Sequence, residues 1–268
     1  MERITSRQNE SIRQHAKLLQ SPSKRREERR FLCEGARLCL DAVRSGVSIE
    51  VCYVTEKAME KYPDYCGTVI QCAQRSYQIV DQVAPLLSDT KNPQGIFCVC
   101  KMPESTLRDI DMPLRGHYLA LEDMQDPANL GTVLRTAEAL GVNGILLTKQ
   151  CCDVFSPKVL RGSMGAVFRL PLFFCESMEQ AVDRLNERGF STLASVVSED
   201  AVPVSLVDFT RPTVMLIGNE GNGLTEETTK VCALPVTIPM AGRAESLNAS
   251  AAAAILLWEM MRGGAAHG

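Results

Sequence analysis

Three short segments carry residue types that could do chemistry, and each sets polar side chains beside glycine or proline. The first is Asp126-Pro127-Ala128-Asn129-Leu130-Gly131-Thr132-Val133-Leu134-Arg135. Asn129 is placed to cap a helix, and Arg135 lies further along an apolar helical pattern. A guanidinium stays protonated, so Arg135 can hold an anion or a developing negative charge. Taken alone, the segment also reads as an ordinary capped helix with one arginine at its edge. The second segment is Leu216-Ile217-Gly218-Asn219-Glu220-Gly221-Asn222-Gly223-Leu224, whose three glycines let a backbone turn sharply and approach a ligand closely. The third runs from Ile238-Pro239-Met240-Ala241-Gly242 through Ser246-Leu247-Asn248-Ala249-Ser250 into an alanine-rich helix. Capping accounts for one of Ser246, Asn248 and Ser250 but not for all three.

The elements that must position these segments follow from periodicity and breakers. Helices are expected over 9–20 and 34–46, and short strands over 51–55, 67–70, 77–80 and 96–100. A polar stretch with prolines at both ends, 103–115, reads as a linker between a domain at 1–102 and another at 116–268. The second domain alternates again. Strands are expected at 118–122, 144–148, 191–197, 213–217 and 236–239, and an extended run at 167–174. Helices are expected at 130–140, 159–163, 178–188, 225–232 and 247–261. Such alternation predicts an α/β fold with a mainly parallel sheet covered on both faces. Ligands of parallel sheets bind beyond the carboxyl ends of the strands, which places the chemistry in the loops after residues 122, 217 and 239.

Composition narrows the function classes. The chain has 268 residues, 45% hydrophobic and 23% charged, the balance of a globular protein with sizeable cores. No run approaches a membrane-spanning length, and the first residues resemble neither a secretory signal nor a transit peptide, so a cytoplasmic protein is expected. The eleven cysteines include no CxxC pair and only three histidines accompany them, so buried reduced thiols are expected and no metal site. The glycine-rich segment lacks both the P-loop ending and the GxGxxG spacing, which argues against a nucleotide enzyme of either type. The formal net charge is −3, yet the first thirty residues hold nine basic and four acidic side chains. Arg7, Arg13, Lys24, Arg25, Arg26 and Arg29 are the candidate RNA contacts in that tract; a solvated helix face is the alternative.

The three segments together resemble the motifs of the SpoU/TrmH-like (SPOUT class) RNA 2′-O-methyltransferases. Asn129-x-Gly131-x-x-x-Arg135 is similar to the first motif, and Gly218-Asn219-Glu220-Gly221-x-Gly223-Leu224 to the second. Pro239-x-x-Gly242 with Ser246-Leu247-Asn248-x-Ser250 resembles the third, and Ser163-x-Gly165-Ala166 a pattern between the first two. Residues 1–100 resemble the substrate-binding domain that precedes the catalytic domain in many members, including Phe31-Leu32-Cys33-Glu34-Gly35 and Pro93-Gln94-Gly95-Ile96.

The resemblance implies a C-terminal sheet with a deep trefoil knot, a ribosomal-protein-like first domain, and a homodimer packed through the knot and final helix. It implies S-adenosylmethionine as methyl donor, held near Leu216, Gly218, Asn219, Gly223, Ile238, Met240, Leu247 and Asn248. It also implies catalysis by Asn129, Arg135, Glu220, Ser246 and Asn248, in which the other four fix Arg135 and the ribose, with a proton relay as the alternative role of Glu220. The expected reaction is methylation of a ribose 2′-hydroxyl, with ribosomal RNA favoured by the separate first domain and its basic tract and tRNA as the alternative substrate. A ribosome-assembly protein that kept the fold without turnover is the rival.

Overall fold

The alternation of apolar runs and breakers becomes two sheets with their helices. The chain is described by a computed structural model over residues 1–103 and 112–265; most of the expected linker, 103–115, lies outside the described residues. The described residues form two compact units, one of 1–103 with 153–169 and one of 112–152 with 170–265. Residues 153–169, inside the expected span 116–268, thus fold with the first unit.

The first unit contains β1 (Glu2–Ile4), α1 (Glu10–Gln20), α2 (Pro22–Glu28), β2 (Arg30–Glu34), α3 (Ala36–Arg44) and β3 (Ile49–Thr55). It continues with α4 (Glu56–Lys61), α5 (Pro63–Cys72), β4 (Arg75–Ile79) and β5 (Ile96–Lys101). Its strands form one mixed sheet in the order β1-β4-β3-β5-β2. The expected strand at 67–70 is instead the middle of α5. Thr68, Val69 and Ile70 favour strands intrinsically, but Pro63 opens a helix at its first position, and Cys66 and Val69 fall on one buried face. Buried thiols fill part of this core: Cys33, Cys39, Cys52, Cys66, Cys98 and Cys100 are all buried, and burial pushes the Cys66 thiol up to about 11.

The second unit carries β6 (His117–Leu121), α6 (Pro127–Leu140) and β7 (Ile145–Thr148). The next helix in the chain, α7 (Pro157–Ser163), belongs to the first unit. The second unit resumes with β8 (Leu172–Cys175), α8 (Met178–Glu187), β9 (Ser191–Ser195), β10 (Val202–Pro203), β11 (Thr213–Ile217), α9 (Glu226–Val231), β12 (Leu234–Thr237) and α10 (Ala249–Ala265). The expected extended run at 167–174 resolves into a 3-10 turn at Ala166–Phe168 followed by β8.

The strands of this unit form a seven-stranded sheet ordered β10-β12-β9-β11-β6-β7-β8, with every pair parallel. Alternate residues serve opposite faces. Tyr118, Ala120, Val214 and Leu216 join Met178, Val182 and Leu185 of α8 in one apolar layer. α10 packs against α6 and β11. Each fully buried aliphatic side chain contributes roughly 1.5–3 kcal/mol. Because the strands are parallel, their carboxyl ends share one edge, and the chain leaves it through 122–126, 196–201, 218–225 and 238–248.

Candidate active site

The first of these loops turns at Asp123, a non-glycine residue held in the left-handed region at φ 54. Its conformation is secured by Thr148 at the end of β7. Asp123 N–H donates to Thr148 Oγ1 at 2.9 Å, and that hydroxyl donates to Asp123 Oδ1 at 2.7 Å. The helix that follows is capped by Asp126, whose side chain accepts from Ala128 N–H, with Pro127 as first helical residue. Asn129 is therefore not the cap expected from sequence; it sits inside the first turn, 8% exposed, with its amide free for another task.

That task is a chain of hydrogen bonds across three loops. Asn129 Nδ2 donates to Glu220 Oε1 at 3.2 Å, and Asn248 Nδ2 donates to Asn129 Oδ1 at 3.1 Å. Asn248 Oδ1 accepts from Ser250 N–H at 2.9 Å and from Ser250 Oγ at 2.7 Å, which caps α10. Glu220 completes the array by accepting from Gln125 N–H at 3.1 Å and Asp126 N–H at 3.0 Å. A carboxylate only accepts, so Asn129 must turn its amide nitrogen to it and its oxygen to Asn248. Each orientation follows from the one before.

The glycine-rich loop is folded back on itself. Asn219 N–H and Gly223 N–H each donate to the other's carbonyl at 2.9 Å, and Asn219 Nδ2 donates to Asp123 O at 2.8 Å. Gly218 lies so close to the returning chain that a Cβ there would stand 2.0 Å from Gly223 C and 2.1 Å from Leu224 N.

Electrostatics fix the state of Glu220. Partial burial pushes its carboxyl up, but hydrogen bonds from Gln125 N–H, its own N–H, Asn129 and Asp126 N–H outweigh this and hold it below its ordinary value. Glu220 is thus an anion at neutral pH and a fixed acceptor, poorly suited to a proton relay. A depressed folded value stabilises the fold above the unfolded value, and the contribution is lost as pH falls through the folded value. A Glu220→Gln variant is expected to melt below wild type at pH 7, with the gap closing as pH falls below 4.5. Its kcat is expected to drop about tenfold or more, since either placement of the new amide sets an N–H against Gln125 N–H or Asp126 N–H. Melting curves against pH together with initial rates check both.

Arg135 stands outside this array. It is exposed on α6 and has no hydrogen-bond or ion-pair partner among the described residues. The expectation that Asn129, Glu220, Ser246 and Asn248 hold Arg135 is thus not what the structure shows; the network closes without it.

Beside the array, a cleft opens between the ends of β9 and β12 and the start of α10. Ile238, Met240, Ser246 and Leu247 line it, joined by Val196 and Val197. Sequence reasoning misses the last two, although the carboxyl-end rule applies equally to the strand expected at 191–197. From Pro239 to Leu247 no group has a hydrogen-bond partner among the described residues, so the loop's backbone donors and acceptors are free. Leu216 is wholly buried in β11, and Asn219 and Gly223 line a second cleft with Glu122, Asp123 and Thr225.

Against this geometry, residues 116–258 match the SpoU rRNA Methylase family. The chain belongs to that family. Residues 9–98 match the MRM3-like substrate binding domain. The chain is 30% identical to the 23S rRNA (guanosine(2553)-2′-O)-methyltransferase RlmP of Bacillus subtilis, over 97% of this chain and 99% of that one. It is 33% identical to a 23S rRNA (uridine(2479)-2′-O)-methyltransferase of Streptomyces viridochromogenes, over 97% and 92%. The AdoMet-bound rRNA methyltransferase of Sinorhizobium meliloti superposes with a TM-score of 0.86 at 30% identity, covering 97% of both chains.

For this SpoU family member the basic N-terminal tract needs a correction. The sequence groups Arg25 with surface cations, yet it is 2% exposed. Its Nε meets Asp153 Oδ2 at 2.7 Å and its guanidinium donates to Leu18 O and Leu19 O. A buried cation survives only when paired, and the residue that pairs it lies far along the chain. Lys24 is engaged by Glu27 and Glu28, and Arg29 donates to Pro103 O. Arg7, Arg13 and Arg26 are exposed, and their side chains have no partner among the described residues. No three His, Cys, Asp or Glu residues among the described ones come together as a metal site, and no described helix is long and apolar enough to cross a membrane.

Proposed function

We propose that this protein transfers a methyl group from S-adenosylmethionine to a ribose 2′-hydroxyl of ribosomal RNA. The observation that carries the proposal is the Asn248–Asn129–Glu220 array beside an apolar cleft whose loop leaves its backbone groups free. The residues fit the donor. Ile238, Met240 and Leu247 offer apolar walls for the adenosine, the backbone groups from Met240 to Leu247 are free to meet it, and Leu216, Gly218, Asn219 and Gly223 complete the proposed donor site from β11 and the folded loop that follows it. Bound there, the donor supplies an electrophilic methyl group.

The chain's own residues then position and discharge. Asn129 and Asn248 fix the local polar geometry, and Ser246, without a partner at the cleft, is free to meet the ribose. Arg135 holds an RNA phosphate and steadies negative charge growing on the 2′-oxygen. As a permanent cation it is not the base, and the proton passes to water or another group. The first unit, with Arg7, Arg13 and Arg26 exposed, docks the RNA. Relatives named for 23S rRNA and aligned over almost their whole length, together with the substrate-binding match at 9–98, favour ribosomal RNA over tRNA.

The same reading includes the trefoil knot at the carboxyl edge, a ribosomal-protein-like first domain and a cytoplasmic site of action. It also includes a homodimer through α10, whose outer face shows Ile255 and Trp258. The test is transfer of tritiated methyl to total RNA from cells lacking the gene. Label is expected as 2′-O-methylribose in 23S RNA, falling at least about a hundredfold in Arg135→Ala. Donor binding with no label in any RNA or in assembling ribosomes would favour the non-catalytic reading.

A further inference from the structure

Glu122 has no part in the motifs that mark the family, yet it is among the few buried carboxylates, 5% exposed at the end of β6. Its backbone N–H donates to Ile217 O at 3.0 Å, which extends the pairing with β11 to the point where the glycine-rich loop departs. Its side chain turns to the other end of that loop. Oε2 accepts from Thr225 N–H at 2.8 Å, and Oε1 accepts from Thr225 Oγ1 at 3.1 Å and Thr228 Oγ1 at 2.5 Å. Thr225 caps α9 and Thr228 is buried in its first turn, so one carboxylate grips the whole exit of the loop. All these partners are neutral hydroxyl or amide donors.

We infer that Glu122 is a positioning residue for methyl transfer: it locks both ends of the loop 218–224 to the end of β6, and so sets where Glu220 presents its carboxylate to Asn129. The inference rests on the proposed reaction. The loop's tip touches the segment 123–126 through Asn219 and Glu220: the backbone bonds to Glu220 are exposed and the Asn219 bond is half-buried. Glu122 anchors the exit of the loop, and its bond to Thr228 Oγ1 is the buried one. The donors it satisfies include one backbone N–H, which cannot reverse, and two hydroxyls, which can. A glutamine can therefore replace it by facing its oxygen to Thr225 N–H and its amide to the hydroxyls. The clamp is a matter of hydrogen bonding and not of charge.

The experiment compares Glu122→Ala, Glu122→Gln and Thr228→Val in the full chain, reading kcat and KM for RNA, melting temperature, and amide exchange at Gly221 and Gly223. Both amides are held by Asn219 within the loop, at 2.8 and 2.9 Å. Glu122→Ala and Thr228→Val are expected to lower kcat about tenfold with KM within about twofold, and to speed exchange at both amides about tenfold. Glu122→Gln is expected to restore both readouts to within about threefold of wild type. Unchanged kcat and exchange in folded Thr228→Val would overturn the inference, as would a glutamine variant as impaired as alanine. If the wild-type protein methylates no RNA, the proposed reaction fails, while the exchange rates still decide the clamp.

Discussion

Gly218→Ala is expected to cost at least about a hundredfold in methyl transfer. The new Cβ would stand 2.0 Å from Gly223 C, 2.2 Å from Gly223 O and 2.1 Å from Leu224 N. All three are backbone atoms, so no side-chain rotation relieves the clash. The loop must open, and with it go the paired bonds between Asn219 and Gly223 and the seat of Glu220. Gly218 has no positive φ, so the demand is one of space and not of backbone conformation. Gly223, with φ 70 and nothing within 4 Å of where a Cβ would stand, is the contrasting case. Its alanine variant meets only the left-handed conformational cost of about 1–2 kcal/mol and is expected to remain folded with reduced turnover. Initial rates and melting temperatures for the two variants check the contrast; equal, mild effects would show that the loop is looser than its hydrogen bonds indicate.

The second large effect is on stability. Asp153→Ala should lower unfolding free energy by about 3–5 kcal/mol, because it strands the Arg25 guanidinium in a dry site. Leu18 O and Leu19 O remain as acceptors but carry no compensating charge. Replacing both partners with apolar residues is expected to recover much of the loss, since the desolvation of two ions is then avoided. Urea unfolding of the single and double variants measures this, and a single variant as stable as wild type would mean that Arg25 escapes to water.

These two sites differ in how far sequence discloses them. The glycine-rich loop is legible because its residue types are costly anywhere but at a close approach, and the parallel sheet follows from alternating periodicity. The roles within the site are less so. Asn129 looks like a helix cap because Asn is a favoured one, but Asp126 with Pro127 behind it makes the better start. Arg25 looks like part of a basic face because its neighbours along the chain are cations. Its true environment is set by Asp153, at a separation that local charge counting does not reach. The same limit hides the clamp at Glu122, whose partners Thr225 and Thr228 lie about a hundred residues on and look like an ordinary helix start. Residues 67–70 mislead for a different reason: β-branched side chains vote for a strand, and tertiary burial overrules them.

The membership of residues 153–169 in the first unit bears on how such a protein could be taken apart or recombined. Phe155 and Phe168 both stack on Phe31, with ring centroids 4.7 and 5.9 Å away, and Asp153 neutralises Arg25. A fragment cut at the polar stretch near residue 103 would leave Phe31 uncovered and Arg25 unmatched, although by chain order it contains the whole first sheet. The first unit is therefore built from two separate stretches of chain. A gene fusion that replaces the first unit has to exchange two stretches of coding sequence together.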